Sequence, residues 1–284
     1  MTLNLKNVMR VTRFGVAWIP YIGGFVWGIC LGFNNPEWIK IIFATICILS
    51  FTGLGHIVNF WADQKVDAIN TQKKDIDLRL NPFVTADVTV KEGIFLVIIF
   101  TALTVVSAML TTYTVAFYLL ITSFIGCVGY SIFYWKGKPV MDIISIPVVT
   151  FMFPFLSGYM LSGGEGFPLY PLLCGILVAI ITYIPTVTVD YEFDKKTDVN
   201  TSAVYFGKEM MFLLRKFLAV MQIWLTVTVV ILSLVGAKES IFLLILMCYT
   251  IYNHQDEPPI SKVAKSYAAC FIAIIILCIG GILI

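Results

Sequence analysis

Charge is what this chain has least of. Across 284 residues, Asp, Glu, Lys and Arg make up 13%, about half the roughly 25% of an ordinary soluble domain. Together with 59% hydrophobic residues and a mean hydropathy of +0.92, that shortage excludes a water-soluble globular fold. The net charge is only +2, so nothing points to a nucleic-acid partner. Histidine occurs twice, at His56 and His254, and both read as packing or hydrogen-bonding groups. The seven cysteines fall within apolar runs and none forms a C-x-x-C pair, so they read as small buried residues rather than disulfides or a metal site. The D-x-D-x-D-G calcium-loop pattern is absent. No small-residue cleavage signature marks the first apolar run, which is expected to be a retained helix and not a signal peptide.

Long apolar runs are abundant. Segments near the roughly 20 residues that span a bilayer occur at Phe14–Phe33, Ile41–Val58, Gly93–Leu110, Val115–Tyr134, Ile143–Leu161, Pro168–Val189, Phe217–Val235, Ser240–Tyr252 and Tyr267–Ile284. The expectation is an all-α polytopic protein of the cell membrane, with nine transmembrane helices around a central cavity and lipid as its surroundings. If all nine cross, 17 of the 19 Lys and Arg lie on one side; Lys40 and Lys238 lie on the other. Positive residues mark the cytoplasmic face, which places the N-terminus inside and the C-terminus outside. The acids divide in the same way, 14 against Glu37, Glu165 and Glu239. The positive-inside rule says little about acids, so chemistry is expected on the inner face.

The outer connections are short. Two inner ones are long, about residues 59–92 and 190–216, and both begin with acids at the end of an apolar run. This repetition, four spans apart, suggests an internal pseudo-repeat. Nothing else marks a boundary, and residues 1–284 are read as a single membrane-embedded domain.

Asn59, Asp63 and Asp67 are spaced by four, as are Asp190, Asp194 and Asp198. On a helix each set lines one face. Like charges at that spacing repel, so something positive is expected between them. Magnesium suits the residues: it prefers oxygen ligands, keeps several waters, and often takes one or two carboxylates plus phosphate oxygens. Two such stripes can hold Mg²⁺ ions that bridge a diphosphate.

These residues resemble a known family. N-x-x-x-D-x-x-x-D-A-I-N from Asn59 and D-x-E-x-D from Asp190 are similar to the two aspartate-rich motifs of the UbiA superfamily of intramembrane prenyltransferases. Three further stretches support the resemblance. They are the basic residue Arg13 before the first apolar run, Y-S-x-x-x-x-K-x-K-P-V-M-D from Tyr130, and T-S-A-V-Y-F-G-K from Thr201. The sequence departs from the pattern at Phe60, where many members carry an aspartate. It departs again at Asp198, where glycine is common, and at Asn81-Pro82 in place of an Arg-Pro element.

The resemblance implies that an allylic isoprenyl diphosphate is ionised with Mg²⁺ and its isoprenyl group passed to a hydrophobic or aromatic acceptor. It further implies metal ligands at Asn59, Asp63, Asp67, Asp190, Asp194 and Asp198. Catalytic roles fall to Asp63, Asp67, Asp190, Asp194 and Tyr130. Substrate contacts fall to Asn59, Arg13, Ser131, Lys136 and Lys138, with Lys73 and Arg79 as looser candidates. A cyclase of the same superfamily, which quenches the cation internally, is the alternative. A cation or metabolite transporter is disfavoured, because its ionisable groups belong near the bilayer midplane and these gather at helix ends.

Overall fold

Backbone amides inside lipid must be satisfied within the protein, and this chain meets that demand with helices; no strand occurs among the described residues. The computed structural model describes residues 4–14, 18–69 and 81–253, with isolated positions between 265 and 276. Thirteen α-helices follow in order: α1 (Leu5–Val11), α2 (Ile19–Leu31), α3 (Trp38–Ala62), α4 (Gln64–Ile69), α5 (Val90–Met109), α6 (Tyr113–Phe124), α7 (Met141–Pro147), α8 (Phe153–Leu161), α9 (Leu169–Val189), α10 (Tyr191–Lys196), α11 (Ser202–Phe206), α12 (Lys208–Ile231) and α13 (Ala237–Tyr252). Two π-helical stretches extend this set: Ile125–Ile132 continues α6, and Val148–Met152 joins α7 to α8.

Six helical segments are long and apolar enough to cross a membrane: Trp38–Ala62, Val90–Met109, Tyr113–Ile132, Met141–Leu161, Leu169–Val189 and Lys208–Ile231. Helix α2 is apolar but has only 13 residues, and α13 has 16. The expected ninth span falls largely outside the described residues. Bulky side chains on these helices, such as Ile98, Val106, Phe117, Leu213 and Trp224, face outward and are more than 40% exposed. That arrangement suits lipid and not water.

Local chemistry sets the element ends. Thr89 and Glu92 form a reciprocal capping box at the start of α5, and Thr112 caps α6. Helix α12 begins at Lys208, nine residues before the expected span, so the second inner connection is shorter than 190–216. The early turns of α12 carry charge, which hides them from a hydropathy reading. Met211 and Arg215 of those turns are nonetheless buried. Arg215 Nε donates to the Ile181 carbonyl at 3.1 Å; the helical partner of that carbonyl would be the nitrogen of Pro185, which has no hydrogen.

The tightest helix contact is between α2 and α8. Gly24 and Gly28 of α2 and Gly32 at its C-terminal cap recur every fourth residue. A Cβ on Gly28 would overlap the Phe155 carbonyl oxygen and lie 2.8 Å from Tyr159 N. Gly158 of α8 reciprocates against the carbonyl of Phe25. Small residues thus bring two backbones together, the usual device where lipid supplies no hydrophobic drive between helices. Gly53 likewise admits the Phe100 ring of α5. A core of Trp27, Phe151, Phe155 and Phe242 fills the space beside this contact.

Candidate active site

The two acidic motifs fold alike. Helix α3 ends at Ala62 and Asp63 turns the chain at φ −88°, ψ 0°; helix α9 ends at Val189 and Asp190 does the same at φ −84°, ψ 0°. A six-residue helix follows each turn, α4 and α10. In each, the amide of the next aspartate donates to the carbonyl of the first at 2.8 Å (Asp67 to Asp63, Asp194 to Asp190). The four-residue stagger survives the turn, so both carboxylates of each pair stay on one side. This geometry aligns Asp63 with Asp190 and Asp67 with Asp194, which leaves Asn59 opposite Thr186. Asp198 lies one step beyond the repeat. It is exposed, at φ 53°, and it stands off the cavity wall because α10 has already ended at Lys196.

The two pairs face one cavity of about 360 Å³. Its wall carries Asn59, Asp63, Asp67, Asp190 and Asp194, the cations Arg13 and Lys136, and Tyr130, Tyr134, Phe193 and Thr201. Tyr21, Phe51, Thr52, Gly55, His56, Val66, Gly126, Ile146, Val149, Tyr183, Thr186, Val187 and Val199 complete it. Carboxylates and cations therefore share a space with aromatic and aliphatic surface. Both π-helical stretches contribute, through Gly126 and Tyr130 from the first and Val149 from the second. Such stretches are frequent at functional sites because the wider turn re-aims side chains.

Lys136 is the most engaged of the expected substrate contacts. Its Nζ donates to Asn59 Oδ1 at 2.8 Å and also pairs with Asp63 Oδ1. Burial pulls the Lys136 ammonium below its ordinary value, and the charge of Asp63 opposes that fall. Arg13 sits with its guanidinium 4.3 Å from the centre of the Phe60 ring. Burial likewise lowers the Arg13 value, against the pull of Asp67 and Asp63. The Phe60 ring thus gives this cation an electron-rich face to lie against. Tyr130 presents its hydroxyl to that of Tyr183 at 3.0 Å.

Other expected residues lie elsewhere. Ser131 is buried beside the cavity and donates to Asn59 Oδ1 at 3.4 Å. Lys138 is exposed and off the wall. Lys73 and Arg79 lie outside the described residues. Two residues not assigned from sequence hold the acids in place. Asn81 Nδ2 donates to Asp67 Oδ2 at 3.0 Å, and Thr201 Oγ1 donates to Asp194 Oδ2 at 3.3 Å. Both stood inside stretches already singled out, but only contact across 14 and 7 residues reveals the roles.

Among the described residues no three His, Cys, Asp or Glu converge closely enough to enclose a metal ion. The donors here are all oxygen and divided into two carboxylate pairs. That set fits magnesium, which completes its shell with water and phosphate oxygens, and does not fit a soft thiolate- or imidazole-seeking ion.

Comparison with known proteins shows the family and the fold. The model of the UbiA prenyltransferase family matches residues 21–282. A 4-hydroxybenzoate octaprenyltransferase of Marinomonas sp. (strain MWYL1) is 24% identical over 280 residues, covering 94% of this chain and 91% of the relative. A UbiA homolog from Archaeoglobus fulgidus, solved with GPP and Mg²⁺, superposes with a TM-score of 0.85 at 22% identity, over 98% of this chain and all of the other. The same homolog bound to DMAPP and Mg²⁺ gives 0.83 at 22% identity, over 96% and 98%.

Proposed function

The chain belongs to the UbiA prenyltransferase family, and from that premise we propose that it is a Mg²⁺-dependent intramembrane enzyme that ionises an allylic isoprenyl diphosphate and transfers the isoprenyl group to a lipophilic or aromatic acceptor. The observation that carries this reading is the joining of both aspartate pairs with Lys136 and Arg13 on the wall of one cavity whose remaining lining is mostly aromatic and aliphatic. The ligands bound by the Archaeoglobus homolog support the same substrate class.

Asp63, Asp67, Asp190 and Asp194, with Asn59, are the residues that would hold Mg²⁺, whose charge would offset that developing on the departing diphosphate. Lys136 and Arg13 add fixed positive charge on the same wall. The C1–O bond of the substrate breaks and its electron pair leaves with the diphosphate. A nucleophilic atom of the acceptor bonds to C1, and its proton passes to the released diphosphate or to solvent. Tyr130, Tyr183, Tyr21 and Phe51 offer electron-rich surface to the allylic cation and keep water from it. The isoprenyl tail lies among the apolar residues at the inner end of the cavity, which is why a diphosphate-handling enzyme sits in a membrane. The 17-to-2 division of basic residues supports nine spans in one domain, an N-terminus inside, a C-terminus outside, and an active site that opens to the cytoplasmic face.

The test is product analysis by mass spectrometry. Purified protein with Mg²⁺ receives a panel of isoprenyl diphosphates, with and without a native lipid extract. Diphosphate release that needs the extract and yields a prenylated product is the expected result, and Asp63→Ala and Asp194→Ala should each abolish it. A cyclic hydrocarbon or alcohol from the diphosphate alone would assign the chain to the cyclases of the superfamily. Turnover that survives both substitutions would remove the aspartates from the mechanism.

A further inference from the structure

The segment that carries Lys136 is held by contacts that do not touch the cavity. It runs between two non-glycine residues with left-handed backbone, Tyr134 (φ 58°) and Val140 (φ 71°). A β-branched residue at that angle is an outlier that persists only where its surroundings over-determine it. At Val140 the determinant is Ser202, whose Oγ accepts the Val140 N–H at 2.7 Å. Ser202 is in turn gripped by Asp142: the Asp142 carboxylate accepts the Ser202 N–H at 2.9 Å and the Ser202 hydroxyl. It also accepts the Ile143 N–H at 2.9 Å. Asp142 and Ser202 are both completely buried. At the other end, the Trp135 ring packs where Gly129 leaves room, and a Cβ there would come within 2.7 Å of it.

Ser202 follows Thr201, which donates to Asp194. A single dipeptide therefore bonds to the second acidic motif through one residue and to the Lys136 segment through the next. Lys136 itself bonds Asn59 and Asp63 of the first motif. We propose that Ser202 and Asp142 are positioning residues that hold Lys136 against the first aspartate motif and tie its placement to that of the second. Neither lines the cavity, so each acts through Lys136 and not on the substrate. The inference rests on the reading of the cavity as a diphosphate-ionising site.

Ser202→Ala removes one buried oxygen and is expected to stay folded, which thermal unfolding in detergent checks, whereas Asp142→Asn alters a wholly buried group and serves as the harsher companion. In full-length protein with Mg²⁺ and an allylic diphosphate, Ser202→Ala should lower kcat/KM for diphosphate release by about ten- to a hundredfold. Combined with Lys136→Gln it should add no further loss, because its effect runs through that side chain. Hydrogen exchange, which needs no turnover, should rise at least tenfold across residues 134–142 in Ser202→Ala while α9 is unchanged. A Ser202→Ala enzyme within threefold of wild type, losses that multiply in the double variant, or unaltered exchange at 134–142 each overturns the positioning role and leaves the proposed activity standing. Absence of diphosphate release from the wild-type protein across the panel overturns the activity, and the inference falls with it.

Discussion

Asn81 offers the most direct measure of how the first aspartate motif is held. Its side chain is 3% exposed, so water does not replace the bonds it makes. Nδ2 donates to the Phe60 carbonyl at 2.7 Å and to Asp67 Oδ2 at 3.0 Å, and Oδ1 accepts the Phe83 N–H at 3.0 Å. The Phe60 carbonyl belongs to the last turn of α3, where helical partners run out. Asn81→Ala removes all three bonds. At about 0.5–1.5 kcal/mol for each neutral bond and about 1.5–3 for the one to the carboxylate, the loss sums to roughly 2.5–6 kcal/mol. The carboxylate's share alone corresponds to about ten- to 150-fold in rate, at about 1.36 kcal/mol per decade, if the placement of Asp67 matters fully in the transition state. The assay is diphosphate release across a magnesium titration, with thermal unfolding in detergent measured in parallel. Expected are a lower midpoint, a fall in kcat/KM in that range and a shift of the magnesium dependence to higher concentration. A folded Asn81→Ala enzyme within threefold of wild type at every magnesium concentration would refute the reasoning, because Asp67 would then owe its position to other contacts.

Gly28→Ala should destabilise by about 1–3 kcal/mol or more, since the new Cβ meets backbone that cannot give way. Gly55→Ala is the contrast: its Cβ would meet only Cys127 Sγ, at 3.7 Å, so it should be neutral or stabilise by up to about 1 kcal/mol. Thermal melts of the two variants separate these outcomes. Asp87 lies outside the spans and anchors α1 by accepting from Arg10 Nη1 at 2.7 Å. The Thr85 hydroxyl first, and then the Arg10 charge, hold its carboxyl below the ordinary 3.8. Its folded value is depressed, so its contribution is complete above 3.8 and disappears as pH falls through the lower folded value. Hydrogen-exchange protection of Leu5–Val11, corrected for the intrinsic rate, should fall on acidification in wild type and show a flatter pH dependence in Asp87→Asn. Arg215→Leu should cost about 1–3 kcal/mol for each carbonyl it deprives, namely those of Ile181 and Asn253. A melt unchanged from wild type would contradict that.

Composition and spacing carry most of the architecture, for physical reasons. Apolar runs of bilayer length are unambiguous, which is why α3, α5 and α9 overlap their expected spans almost end to end. The start of α12 was hidden because amphipathic turns with lysines resemble a loop to any hydropathy window. The aspartate motifs were legible from a four-residue stagger, yet their register was not. Spacing alone pairs Asn59 with Asp190, whereas the matching turns at Asp63 and Asp190 pair Asn59 with Thr186. The π-helical stretches had no periodic signature, and only the nearby Gly126, Gly129, Pro147 and Pro154 hinted at irregular backbone. Asn81, Thr201 and Ser202 act through contacts between segments distant in sequence, and no local pattern announces those.

The pseudo-repeat also explains why the site needs ions from solution. Among the described residues, the cavity wall carries four aspartates against two cations, Arg13 and Lys136, a formal charge of −2. A diphosphate is itself an anion and would be repelled by such a wall. Under the proposed function, divalent cations would reverse that sign and so would be a condition of substrate binding as well as of bond cleavage. The two halves are unequal in a way the local fold does not impose. Lys136 and Arg13 both stand against the first motif, whereas Thr186 and Thr201 flank the second with neutral hydroxyls. Among the described residues, the fixed positive charge of Lys136 and Arg13 thus stands beside the first motif.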